Sequence, residues 1–279
     1  MKNLILLFLL ISTVSFSQEF QGRAYYFSKT IFSDKLEVED SESKEEMDPA
    51  MEKAFQEALK AASEKSYLLT FNKAECVYEE EQQLEKPKAA SGEMQISVSI
   101  SSSEGKKYIN AKNKTSSIKD AILGKEFLIV EPIEKPDWEL VDEFKKIGDY
   151  TCYKAKLVVP VSEKQKKEYE EFLKKEEIKP SLFKMQEPKD KMITAWYTPE
   201  IPVSFGPNNY WGLPGLILEI NEPELIILCS KVVLNTKGAT IKSPNKGKKV
   251  SQKEFDTIQK KKYDSMKNDD GVIIFQTTH

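Results

Sequence analysis

Thr198-Pro199-Glu200-Ile201-Pro202-Val203-Ser204-Phe205-Gly206-Pro207-Asn208-Asn209-Tyr210-Trp211-Gly212-Leu213-Pro214-Gly215 runs directly into Leu216-Ile217-Leu218-Glu219-Ile220. Between Pro199 and Gly215 lie four of the chain's 13 prolines and three of its 11 glycines. Proline restricts φ and glycine fits tight bends, so this density predicts a long, stiff connection rather than a flexible linker. Pro214-Gly215 suits the centre of a type II turn, with glycine accepting positive φ. Leu216, Leu218 and Ile220 alternate with Ile217 and Glu219, which predicts a strand leaving the turn at once. Trp196, Tyr197, Tyr210 and Trp211 flank the connection and are candidate ligand contacts. Large aromatic rings are equally the heaviest core fillers, so the same four residues also suit a purely structural role.

Working outward, Met192–Tyr197 and Leu225–Leu234 read as strands on either side of the connection. Further upstream, 138–141 and 147–159 read as strands, the second with Tyr153, Ala155, Leu157 and Val159 on one side. Phe127–Val130 and Lys106–Ala111 are shorter strands. Met94, Ile96, Val98 and Ile100 alternate strictly with Gln and Ser, and Tyr67, Leu69 and Phe71 alternate likewise. Phe20–Phe32 is rich in aromatics and reads as a strand. Asp48-Pro49 opens a helix over 49–63, with Met51, Phe55, Ala58, Leu59 and Ala62 at helical spacing. Ser162 with Gln165, and Ser251 with Glu254, are capping boxes for two more helices, the last ending near 268. No repeat or low-complexity linker interrupts the chain, so residues 18–279 read as one domain of α+β class. Its sheet is mainly antiparallel and its few helices are peripheral.

The hexapeptide Gly212-Leu213-Pro214-Gly215-Leu216-Ile217 carries a resemblance to the GLPGLI family. Ala195-Trp196-Tyr197-Thr198-Pro199-Glu200-Ile201-Pro202, Gly206-Pro207, Trp138 and Ile147–Ala155 look like the same family. The resemblance implies an exported protein of the Gram-negative cell envelope, of uncharacterised biochemistry. It implies partners among outer-membrane TonB-dependent transport components, and a curved antiparallel sheet suits a lipid or peptide ligand on its concave face. The layout is also similar to periplasmic lipoprotein-carrier half-barrels, which implies a curved, half-barrel-like sheet.

The amino terminus reads as a secretory signal. Lys2 is the positive region, Leu4–Ile11 the apolar run, and Ser15 and Ser17 are the small residues before a cleavage at Gln18. The apolar run falls short of the roughly 20 residues needed to span a bilayer. Removing residues 1–17 from 279 leaves 262, and loss of Lys2 moves the net charge from −3 to −4. Lysines and acids are interspersed, which disfavours nucleic acid as a partner, since phosphate binding wants a basic excess.

Cys76, Cys152 and Cys229 match no metal-ligand spacing. One disulfide of undetermined pairing plus a free thiol, or three buried thiols, are both consistent with the odd count. The single histidine is the terminal residue, His279, where nothing fixes an imidazole for triad or zinc chemistry. No metal site, cofactor or catalytic group is therefore expected. A periplasmic binding or accessory module is the leading reading. A structural envelope protein that docks a membrane partner is the alternative. A carboxylate-based hydrolase using Glu200 with Glu219 or Asp149 comes last, because alternation alone explains Glu219.

Overall fold

The computed structural model describes residues 20–31, 53, 57–60, 62–81, 106–178, 187–235 and 241–266. The segment 1–17 expected to be a signal, the strand expected at Met94–Ile100 and His279 lie outside these residues. Of the helix expected over 49–63, residues 53, 57–60, 62 and 63 are described and helical.

Twelve strands are described: β1 (Gln21–Thr30), β2 (Glu64–Asn72), β3 (Glu75–Glu80), β4 (Lys107–Asn110), β5 (Thr115–Ile122), β6 (Lys125–Pro132), β7 (Glu139–Ile147), β8 (Tyr150–Val159), β9 (Lys191–Thr198), β10 (Leu216–Glu222), β11 (Leu225–Leu234) and β12 (Lys248–Val250). Helices α1 (Glu163–Ile178) and α2 (Gln252–Asp264) complete the elements. All strands join one open sheet in the order β12-β6-β5-β4-β3-β2-β1-β11-β10-β9-β8-β7. Every pairing is antiparallel except β12 on β6.

The register sorts the side chains into two faces. One row crosses the sheet through Lys65, Ser28, Ile227, Ile220, Ala195, Ala155 and Leu140. Its middle is shut from water: Ile220, Ala195 and Ala155 are 0% exposed. The next row, on the opposite face, runs Ser66, Phe27, Leu228, Glu219, Trp196, Lys154, Val141. Phe27 and Leu228 on it are each 41% exposed. Period-2 alternation thus puts the apolar set on a core face and the mixed set outward. A smaller core of Ile122, Phe127, Ile129, Val250 and Phe255 docks α2 on β6. The expected capping box is present, with Ser251 Oγ accepting from the Glu254 amide.

Two local expectations are corrected. Gly215 does not take positive φ; in this segment Gly212 does, at +92°. Gly215 is needed for closeness instead: a Cβ there would sit 2.2 Å from the Thr198 carbonyl oxygen. The strand after it does not alternate simply either. A bulge between Ile217 and Glu219 sets Ile217 against Tyr197 and Glu219 against Trp196. Leu216, Ile217, Leu218 and Ile220 are all buried, and the bulge breaks the two-residue alternation among them. The strand expected at 147–159 is β8 preceded by a two-residue hairpin turn, Gly148-Asp149, with Gly148 at φ +57°.

Candidate functional site

The proline-rich connection is an inside part of the molecule. Ile201, Val203, Phe205 and Leu213 are at most 2% exposed. Its backbone is tied to β10 by Leu216 N to Ile201 O at 3.0 Å and Ile217 N to Phe205 O at 3.0 Å. The Gly212 amide donates to Ser204 O at 2.8 Å. From β1, the Tyr26 hydroxyl donates to Ile217 O at 2.7 Å. Satisfying these polar groups internally is what permits an irregular segment to be buried.

The four aromatic candidates do not form one site. Tyr210 and Trp211 are 9% and 7% exposed and lie beside Trp138. Trp138 donates its indole N–H to Trp211 O at 2.9 Å, and its ring centroid is 6.0 Å from that of Tyr210. The Tyr210 hydroxyl donates to Glu222 Oε1 at 2.7 Å. Burial and this neighbouring carboxylate push the Tyr210 phenol well above its usual range. Tyr197 is 6% exposed on the core face, its ring 6.3 Å from Tyr153. Trp196, the next residue along the strand, projects to the other face.

On that face Trp196 lies between two lysines, with Lys145 Nζ 4.4 Å and Lys154 Nζ 5.7 Å from the ring centroid. Lys145 also pairs with Glu219 Oε2 at 2.7 Å, and Asn221 Nδ2 donates to Glu219 Oε1 at 2.7 Å. Lys154 pairs with Glu143 at 2.8 Å. Glu200 accepts from the Thr151 amide at 2.8 Å. Glu219 thus ties β10 to β7 across the intervening β9 and β8, and Glu200 is held by the start of β8.

The three thiols are free and buried. Burial pushes Cys152 up to about 11 and Cys229 up to about 12, and Cys76 further still.

A cavity of about 270 Å³ opens on the core face over β1, β2, β3, β4 and β11. Leu225 and Ile227 supply apolar wall, Ser28, Thr30 and Ser63 hydroxyls, and Asn208 reaches in from the proline-rich connection. Tyr67 and Tyr78 stack at 4.9 Å and 13° along one side. Lys65 and Glu80 pair at 3.0 Å, and Glu79 pairs with Lys106. Lys107 also lines the cavity, and desolvation lowers its ammonium pKa against a small opposing pull from Cys76. Sequence reading missed this group, because its members come from five strands, the helical residues 62–63 and a loop. Tyr67 was visible in it only as an alternating strand residue.

Residues 138–219 match the family model described as "Protein of unknown function (Porph_ging)". That span holds Trp138, the Lys145–Glu219 pair, the whole proline-rich connection and, of the cavity, Asn208. No curated protein matches the chain. Two solved structures are similar in part. The structure of PNGF-II in the C2 space group is 12% identical, with a TM-score of 0.46, over 87% of this chain and 33% of that one. The structure of PNGF-II in the P21 space group is 13% identical, with a TM-score of 0.45 and the same coverage. The chain spans about a third of the length of those structures.

Proposed function

We propose that this protein is an exported binding module of the cell envelope, soluble after removal of residues 1–17, that holds a small ligand in the core-face cavity. The observation that carries the reading is the cavity itself. A stacked tyrosine pair, an apolar wall, three hydroxyls and a desolvated lysine converge on one space, the composition expected of a small-molecule site. Mostly apolar sites with a few placed polar groups owe affinity to the former and selectivity to the latter. The GLPGLI resemblance supports a role beside outer-membrane transport. The proline-rich motif serves as the frame: it shapes the core and delivers Asn208 to the cavity, while Tyr197, Tyr210 and Trp211 hold that frame in place.

Native mass spectrometry on the protein recovered from an envelope fraction tests this. The parent is expected to carry a bound small molecule, and Thr30→Trp, which fills the cavity from its rim, is expected to carry none. Equal occupancy of both proteins, at equal thermal stability, would remove the cavity from the account.

One observation favours the docking alternative. β7 ends the sheet, no described strand pairs its far side, and it exposes Leu140 and Phe144 at 60% and 73%. Long exposed edges with apolar side chains invite a further strand. Phe144→Ser would release a co-purifying membrane partner under that reading and leave small-molecule occupancy untouched under the first.

A further inference from the structure

We infer that the cavity ligand carries a single carboxylate, and that Lys107 is the group that holds it. This rests on the reading of the cavity as a binding site and adds the chemical class of what enters it.

The charges around the cavity nearly cancel in pairs. Lys65 is matched by Glu80 at 3.0 Å, and Glu79 by Lys106. Lys107 lines the same space, and among the described residues it takes part in none of the ion pairs. β4 puts it there: Lys107 sits opposite Tyr78 in the register, on the face that carries the Tyr67–Tyr78 stack. An ammonium withdrawn from water without a counter-ion is costly, and an arriving anion relieves that cost. A cation desolvated within a cleft is, on the same grounds, a candidate for function rather than for stability.

The surroundings limit the anion to one charge. Glu80 lines the cavity on the same face as Lys107, so a second negative charge on the ligand would face a carboxylate already there. Such like-charge placement is how a site rejects a dianion such as phosphate. The rest of the ligand meets Leu225, Ile227 and the tyrosine ring faces, which suit hydrocarbon. At roughly 30 Å³ per water-sized volume, 270 Å³ holds about nine such units, the scale of an eight-carbon chain or a dipeptide end. A monocarboxylate with a short apolar body meets all of these demands. Fatty acids and peptide carboxyl termini both present that chemistry.

The experiment titrates the mature chain, by nuclear magnetic resonance, with octanoate, octanamide, N-acetyl-dileucine and N-acetyl-dileucine amide. At least one carboxylate should bind the parent about tenfold or more tighter than its own amide, as expected for losing a charge-assisted contact. Lys107→Gln should abolish that preference while leaving amide binding unchanged. Tighter binding of octanoate identifies the acyl source, and tighter binding of the peptide identifies the other. If each amide binds the parent as well as its acid, the Lys107 assignment falls and the cavity stands as a neutral site. If none of the four probes binds, the cavity reading falls with it. The acid–amide comparison uses the parent alone, so it holds even if Lys107→Gln folds poorly.

Discussion

Replacing Gly215 by alanine should be among the most damaging single-methyl additions in this protein, and for a reason unrelated to φ. The added Cβ would lie 2.2 Å from the Thr198 oxygen, 2.5 Å from its carbon and 2.8 Å from the Pro199 nitrogen. All three are backbone atoms, so no rotamer change relieves the clash. Thr198 is paired with Leu216, the next residue, so the two strands must separate where their ladder begins. Overpacking of this kind typically costs about 1–3 kcal/mol, and an unyielding backbone neighbour places Gly215→Ala at or above the upper end. Gly212→Ala is the control. There φ is +92° and the nearest atoms belong to the Lys135 side chain, with Cγ at 2.8 Å, which can swing away. Only the backbone strain remains, about 1–2 kcal/mol. Thermal denaturation at matched concentration should rank Gly215→Ala as the less stable. A 3 kcal/mol loss corresponds to a fall of about 6–12 °C for a chain of this size. The reasoning is refuted if Gly215→Ala melts within 2 °C of the parent, or if Gly212→Ala is the worse of the two.

Other outcomes follow from the same contacts. Lys145→Met removes the Glu219 pair and the contact over Trp196, so it should cost about 1–2 kcal/mol in denaturant melts and shift Trp196 emission. Burial raises the three thiols' folded pKa values above their ordinary value near 9.0, so the unfolded chain loses those protons first as pH rises. Their contribution to stability is full below pH 9 and declines above it by about 1.4 kcal/mol per pH unit for each thiol, until Cys152 itself titrates near 11. Chemical denaturation at pH 8, 9 and 10 reads this directly, and a midpoint that does not fall between pH 9 and 10 would contradict it. With all three sulfurs buried, alkylation should be slow in the native protein and should reach three labels after unfolding without reductant. Two labels fewer would mean that one disulfide forms.

How far the fold was legible depended on whether a residue's role was local. Leu225–Leu234 has the bounds read from its apolar content, and the Ser251–Glu254 capping box is present as spaced. β5 went unread because Ser116 and Ser117 are buried polar residues, which periodicity scores as loop. Gly215 was read through its own φ, whereas its constraint comes from a carbonyl 17 residues earlier in the chain. Glu219 looked like an ordinary solvent-facing position, yet its partner Lys145 lies 74 residues upstream. The four aromatic candidates are close in the chain but part in space, since adjacent residues on a strand point to opposite faces and Trp196 parts from Tyr197 for that reason. The cavity was the least legible feature. Ser28, Lys65, Tyr78, Lys107 and Ile227 meet only through a strand order that places β11 beside β1, and no spacing rule encodes that pairing.

The central claim, that a ligand occupies the core-face cavity, is tested most directly by methyl resonances of leucine and isoleucine during a titration with octanoate. Leu225 and Ile227 line the cavity, whereas Leu140 on β7 and Leu228 on the outer face do not. The account predicts saturable shifts of the Leu225 and Ile227 methyls that disappear in Thr30→Trp. Shifts confined to Leu140 and Leu228, with Leu225 and Ile227 unmoved, would contradict it.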